Sequence, residues 1–270
     1  MTMVNGYSAD NENDLPADER TMIARRERVL GPAYRLFYEK PVHLVRGEGA
    51  WLYGPNGEAY LDAYNNVASV GHCHPHVVEA LARQSAILNT HTRYLTDGVL
   101  DYAERMTALF PAPLSQIMFT CTGSEANDLA LRIARAHTGG LGLIVTDNAY
   151  HGVTAAIAEA SPSLGAFVPV GATVRTVPAP DARQSRARGG DIGETFAASV
   201  REAIASLRAA GVQPAALLVD TVFSSDGVFV DPAGFLQPAV AAIREAGGLF
   251  IADEVMNHGT VDHAKVYPRE

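Results

Sequence analysis

The sequence predicts an α/β fold: a mainly parallel sheet with helices on both faces, preceded by a small N-terminal α+β segment. Three observations carry this expectation. Short apolar runs recur at Gly142–Thr146, Ala215–Asp220 and Leu249–Asp253. Segments with helical apolar spacing stand between and before them: Ala126, Leu129, Ala130 and Ile133; Phe196, Val200, Ile204 and Leu207; and residues 235–246. Strands separated by helices of that length need crossover connections, which build parallel sheets covered on both faces. Finally, 270 residues at 47% hydrophobic and 19% charged can bury a large core.

Taken in order, residues 1–20 are polar and acidic, with too few apolar side chains to offset ordering, and read as a disordered tail. Met22, Ile23, Arg26 and Leu30 suggest a short amphipathic helix. The stretch Gly49–Asp62 reads as a hairpin, two aromatic-rich runs around Pro55-Asn56-Gly57. Residues 21–85 thus form the N-terminal part of a small domain with its linker, and residues 86–270 a large domain that is incomplete at its C-terminus. Within the latter, Val99, Ala103, Met106 and Phe110 keep helical spacing, and Gln116–Thr120 is a further strand candidate. Leu249–Asp253 is apolar enough to be a fully buried strand.

Composition excludes several functions. The formal net charge is −9 and the basic clusters are short, so no phosphate-backbone footprint is present and no nucleic-acid partner is expected. The longest stretch free of Asp, Glu, Lys and Arg, Met106–Ser124, holds Pro111, Pro113, Gln116 and several hydroxyls, and does not suit a membrane. The N-terminus lacks the basic and apolar regions of a signal peptide, and Cys73 and Cys121 make no disulfide framework. They read as buried small hydrophobes in a soluble, cytoplasmic protein.

The acidic pair Asp253-Glu254 ending an apolar strand would suit an ATPase, but no Gly-Lys-Ser/Thr phosphate loop exists. The chain has two lysines, Lys40 and Lys265, and neither follows a glycine. No Gly-x-Gly-x-x-Gly follows a strand, and no Gly-x-Ser-x-Gly elbow occurs. The run His72-Cys73-His74-Pro75-His76 could aim imidazoles at a metal, yet a polar turn leading into a helix near Val77 explains the same residues, and no metal is expected.

Three features remain, each at a strand's carboxyl end, where open α/β sheets bind ligands. In Thr120–Asn127, Thr122 and Glu125 have capping-box spacing, while Gly123 followed by Ser124 at a helix N-terminus lets backbone N–H groups and a hydroxyl approach a phosphate. In Tyr150-His151-Gly152 an aromatic stands beside a glycine and could lie on a planar heterocycle. Asp253 ends a buried strand and needs a cationic or hydrogen-bonding partner, which a protonated ring nitrogen would be. Phosphate cradle, aromatic and buried carboxylate together describe a site for pyridoxal 5′-phosphate.

On these residues the chain resembles the class III aminotransferases, pyridoxal-phosphate enzymes of fold type I. The motifs are Gly71-His72 with His74-Pro75, Cys121–Asn127, Tyr150-His151-Gly152 and Phe250–Val255, and the resemblance runs from about Arg25 to Val255. It implies that Gly123 and Ser124 hold the cofactor phosphate, that Tyr150 and Val255 cover the two faces of the ring, that His151 borders it, and that Asp253 pairs with the ring nitrogen. It also implies a ping-pong transfer of an amino group from an amine or amino acid to a 2-oxo acid or aldehyde, in a homodimer. Aminomutase or phospholyase chemistry on the same fold is the alternative, as is a non-catalytic subunit that binds cofactor or a partner.

The sequence departs from the family in two places. Asp220-Thr221-Val222 stands where relatives often carry a glutamate followed by proline, so Asp220 is expected to take over part of that role. Beyond about Gly259 the resemblance ends, and neither Lys40 nor Lys265 has the setting of the family's Schiff-base lysine. No catalytic residue is therefore assigned, and the chain is expected to be a fragment, poorly stable and without efficient turnover alone.

Overall fold

The computed structural model describes residues 6–32, 34–64, 69–187 and 190–255. Lys265 and the segment in which the resemblance ends lie outside the described residues. The chain divides into two compact units, Met1–Tyr94 and Leu95–Glu270, a boundary later than the expected 85/86.

In the first unit, the segment expected as a tail contains a 3₁₀ turn at Ala9–Asp14 and the start of helix α1, Ala17–Leu30. Asp18 and Glu19 favour the positive end of α1, and Leu15 and Ile23 are buried. Strands β1 (Arg46–Glu48), β2 (Trp51–Tyr53) and β3 (Ala59–Leu61) form an antiparallel sheet. The expected hairpin is its β2–β3 half, with Tyr53 opposite Ala59. Helix α2, Pro75–Ile87, begins with proline at its first position, where a missing N–H costs nothing.

The second unit opens with helix α3, Asp97–Thr107. Gln116–Thr120, expected as a strand, is not one. Among the described residues no backbone hydrogen bond pairs it with a neighbour, and Met118 and Phe119 are exposed. Helix α4 follows (Gly123–Thr138), then β4 (Gly142–Thr146), the short helix α5 (Ala155–Ala158), β5 (Val174–Val177), α6 (Ala182–Ala187), α7 (Ile192–Ala209), β6 (Pro214–Asp220), α8 (Gln237–Glu245) and β7 (Leu249–Asp253). The four strands are parallel in the order β5-β4-β6-β7. No helix among the described residues is long and apolar enough to cross a membrane.

Alternation along the strands separates two cores. Ile144, Leu217 and Val219 pack with Phe196, Val200, Ile204 and Leu207 of α7 and Ile243 of α8. Leu143, Val145, Ala216 and Leu218 face the other way, against Leu131 and Ala134 of α4 and Ile157 of α5. The sheet is therefore covered on both faces, as expected. Leu217 has no exposed surface, so Leu217→Ala would cost about 2–5 kcal/mol. β7 departs from expectation: Leu249–Ala252 are only half-buried and Asp253 alone is buried, because β7 is an edge of the described sheet.

Asp191 starts α7 by accepting the N–H groups of Gly193 (2.8 Å) and Glu194 (3.2 Å). α4 buries Asn127, Leu131 and Ala134 and leaves Ile133 exposed, a face rotated from the one the apolar pattern marked. The rotation arises because a polar residue, Asn127, lies on the buried stripe.

Candidate active site

Parallel strands place Thr146, Asp220 and Asp253 at one edge of the sheet. From β4 the chain continues to β5 on one side while β6 lies on the other, so a ligand crevice is expected where these connections part.

The N-terminus of α4 is built by reciprocal capping. Thr122 Oγ1 accepts the Glu125 N–H at 3.1 Å, and the Glu125 carboxylate reaches back to the Cys121 N–H at 2.8 Å. The N–H groups of Gly123 and Ser124 have no protein acceptor among the described residues and stand at the positive end of a 16-residue helix.

Two other segments close on this helix end. Gly152, at φ +131°, lies so near that a Cβ would stand 2.4 Å from Ser124 Oγ. Only glycine fits both that conformation and that space. The next residue, Val153, donates its N–H to Ser124 Oγ at 3.1 Å, which leaves the hydroxyl hydrogen free. Just past the end of β7, Val255 sits over Gly123, where a Cβ would meet its Cγ2 at 2.6 Å.

Beneath them lies a buried polar network. His151 Nδ1 and Asp253 Oδ2 are 2.8 Å apart, with the imidazole fully buried and the carboxylate side chain 7% exposed. Asn127 Nδ2 donates to the same Oδ2 and to the His151 carbonyl, both at 2.9 Å, while Asp253 Oδ1 accepts the Val255 N–H at 3.1 Å. Burial opposes the charge on Asp253, but the hydrogen bond from His151, its electrostatic attraction, the Val255 N–H and the Asn127 amide outweigh it and hold the carboxyl below the ordinary aspartate range. Among the described residues His151 Nε2 is buried without a protein partner. The His151 N–H is held by Ser161 Oγ at 2.9 Å.

The expected site residues thus fall into two groups. Gly123, Ser124, His151, Asp253 and Val255 are joined by the contacts above. Tyr150 precedes His151 in the same loop with its ring half exposed. Asp220 is opposite Asp253 in the β6–β7 register but spends its carboxylate on its own turn, accepting the N–H groups of Val222 (3.1 Å) and Ser224 (2.8 Å) and the Ser224 hydroxyl. Asp226, unremarked in the sequence, ties the loop after β6 to β4 through the Thr146 hydroxyl (2.6 Å) and the Asn148 N–H (3.1 Å). Burial pushes its carboxyl above the usual range, those two hydrogen bonds acting the other way. Asn127 and Ser161 also join this network, and the sequence assigns neither of them a role. Asn127 lies in step with the buried Leu131 and Ala134, but the apolar pattern of the sequence marks a different face of this helix.

Both cysteines are exposed, against the expectation of burial. Cys121 lies in the unpaired approach to α4, and Cys73 sits in a turn at φ +55°. His72 of the histidine-rich run pairs with Asp62 at 2.7 Å, and among the described residues no group of three metal-ligating side chains occurs.

The residues present suit a phosphorylated, protonated heterocycle. Two free N–H groups and a hydroxyl at a helix N-terminus match a phosphate, and an ionised, buried carboxylate with acceptor capacity left on Oδ1 matches a ring N–H.

Comparison with known proteins agrees with this chemistry. Residues 37–260 match the family model described as aminotransferase class-III. The chain is 39% identical over 244 residues to an alanine–glyoxylate aminotransferase 2-like protein of Drosophila melanogaster, covering 86% of this chain and 49% of that protein. It is 31% identical over 249 residues to an ethanolamine-phosphate phospho-lyase homolog of Caenorhabditis elegans, covering 87% and 53%. Among solved structures, a phospholyase from Arthrobacter in complex with phosphoethanolamine superposes with a TM-score of 0.79 at 42% identity, over 86% of this chain and 55% of that one. The chain spans about half the length of the curated relatives it matches. It belongs to the class III aminotransferase family.

Proposed function

We propose that this chain carries the cofactor-binding part of a pyridoxal-phosphate-dependent aminotransferase, which moves an amino group from an amine or amino acid to a 2-oxo acid or aldehyde. The observation that carries it is the convergence of the free N–H groups of Gly123 and Ser124 with the ionised, buried Asp253 through Val255 and the Asn127–His151 network.

Bound pyridoxal phosphate supplies an electron sink for the electrons released at the substrate Cα. The chain's residues do the rest of the binding work. Gly123 and Ser124 hold the phosphate with backbone N–H groups and the Ser124 hydroxyl. Asp253, kept ionised, holds a proton on the ring nitrogen. His151 and Asn127 fix Asp253, while Tyr150 and Val255 flank the ring. Asp220 shapes the neighbouring pocket by fixing the turn Val222–Ser224 rather than by meeting substrate with a free carboxylate.

A second reading is phospholyase chemistry on a phosphorylated amine, favoured by the 42% identity to the phospholyase in complex with phosphoethanolamine. Cytoplasmic residence rests on two exposed, unpaired cysteines. Homodimer assembly rests on the family resemblance.

The test supplies the protein with pyridoxal 5′-phosphate and, separately, an amino acid with glyoxylate or phosphoethanolamine alone. Formation of glycine supports the aminotransferase reading, and release of inorganic phosphate moves the assignment to the second. Binding of pyridoxamine 5′-phosphate with neither product keeps the cofactor reading and removes catalysis from this chain by itself.

A further inference from the structure

Asn127 is 6% exposed, one turn into α4, and gives both amide hydrogens away. Its two partners, the His151 carbonyl and Asp253 Oδ2, only accept, so the amide orientation is fixed by chemistry. The consequence falls on Asp253. Oδ2 receives two donors, Asn127 Nδ2 and His151 Nδ1, and is filled. Oδ1 receives one, the Val255 N–H, and keeps a lone pair.

We infer that Asn127 is a positioning residue that decides which carboxylate oxygen of Asp253 meets the cofactor's ring nitrogen: by filling Oδ2 it leaves Oδ1 as the acceptor. The inference rests on the pyridoxal-phosphate reading above. Without Asn127, Oδ2 regains an open lone pair, the carboxylate can turn about Cβ–Cγ, and the ring N–H meets two competing acceptors. One side chain also spans 24 residues to the loop after β4 and 126 to the end of β7, so it sets the carboxylate relative to the phosphate-binding helix end. No neighbouring residue type does this. Aspartate would bring a like charge, glutamine is a methylene longer, and leucine would leave two buried acceptors short of a donor.

The experiment compares the affinity of the full 270-residue chain for pyridoxamine 5′-phosphate, which needs no Schiff-base lysine, with its analogue whose ring nitrogen is replaced by C–H. The ratio reads the ring-nitrogen contact alone, since the phosphate contacts are common to both ligands. The unaltered chain is expected to prefer the natural ligand by about tenfold or more, the scale of a hydrogen bond to a charged group. In Asn127→Ala the ratio is expected to fall below about threefold while affinity for the analogue stays within about twofold. Asn127→Ser, a smaller change that cannot span both acceptors, is read the same way and serves if the alanine variant does not fold by circular dichroism. Retention of the original ratio in either folded variant overturns the inference and leaves the cofactor reading intact. An unaltered chain that does not distinguish the two ligands overturns the cofactor reading itself.

Discussion

Among the described residues each unit contains one histidine–aspartate pair, and their lengths are almost the same: 2.7 Å for His72–Asp62 and 2.8 Å for His151–Asp253. Their surroundings are not. His72 uses Nε2, is about a quarter exposed, and lies ten residues from its partner. Among the described residues the Asp62 carboxylate otherwise holds only its own turn, through the Tyr64 N–H at 3.2 Å. This pair is a local staple between the end of β3 and the loop that leads into α2. His151 uses Nδ1, is fully buried, and meets an aspartate 102 residues away that two further donors also hold. The number of donors and the chain length they span, not the distance of the pair, separate a staple from a held and aimed charge.

The comparison is tested most severely by removing each carboxylate. Asp253→Ala leaves the His151 Nδ1–H and one of the two Asn127 amide hydrogens short of acceptors in a buried site, and is expected to destabilise the Leu95–Glu270 unit by about 3–5 kcal/mol in urea unfolding. Asp62→Ala frees a partly exposed imidazole that water can reach, and its loss should be clearly smaller. Equal losses in the two variants would break the comparison.

Glycine substitutions sharpen it at a lower level. Gly152→Ala forces a positive φ on alanine and drives a Cβ against Ser124, with an expected cost of about 2–3 kcal/mol and weaker phosphate binding. Gly57→Ala, in the β2–β3 turn at φ +89° with open space around it, should cost about 1 kcal/mol. Melting curves that show the same shift for both would mean that the contact with Ser124 exerts no constraint.

Much of the sheet was legible because burial leaves a simple signature. β4 and β7 match their apolar runs end to end, β6 gains only Pro214, and the four apolar positions of α7 are all buried. β5 escaped because it has four residues and one of them, Arg175, turns out to meet Ser206 Oγ at 2.9 Å. Gln116–Thr120 has strand composition but no partner among the described residues, and pairing is not encoded in a single segment. Among the expected site residues, the ones the geometry brings together carry individual signatures: a glycine before serine at a helix start and a carboxylate ending an apolar run. Asn127 carries none, because its role depends on two acceptors 24 and 126 residues away, and an amide inside a helical pattern looks like surface. The capping by Asp220 was equally hidden. Its position at the strand end is read from sequence, but the direction of its carboxylate follows from the turn that comes after it.

The smallest effects are expected in acid, where the two pairs behave alike in sign. The hydrogen bond from His72, the largest influence, with help from the Tyr64 N–H, holds Asp62 below the ordinary aspartate range despite some desolvation, and Asp253 is held low in the same direction. For each, the unfolded chain binds a proton more readily than the folded one. The stabilisation is therefore complete above the unfolded value of about 3.9 and is lost as pH falls through the folded value. Asp226 runs the opposite way: its raised carboxyl makes the folded state the better proton acceptor, so its contribution is present in acid and is lost as pH rises through the folded value. Unfolding free energies measured from neutral pH down to about pH 3 should fall with a slope bounded by about 1.4 kcal/mol per pH unit for each proton taken up on unfolding. Asp62→Asn should flatten that limb slightly, since it removes one such group while keeping the side chain's shape. Acid limbs that superimpose would show that Asp62 titrates alike in both states, and the staple would then hold the loop by its geometry rather than by its charge.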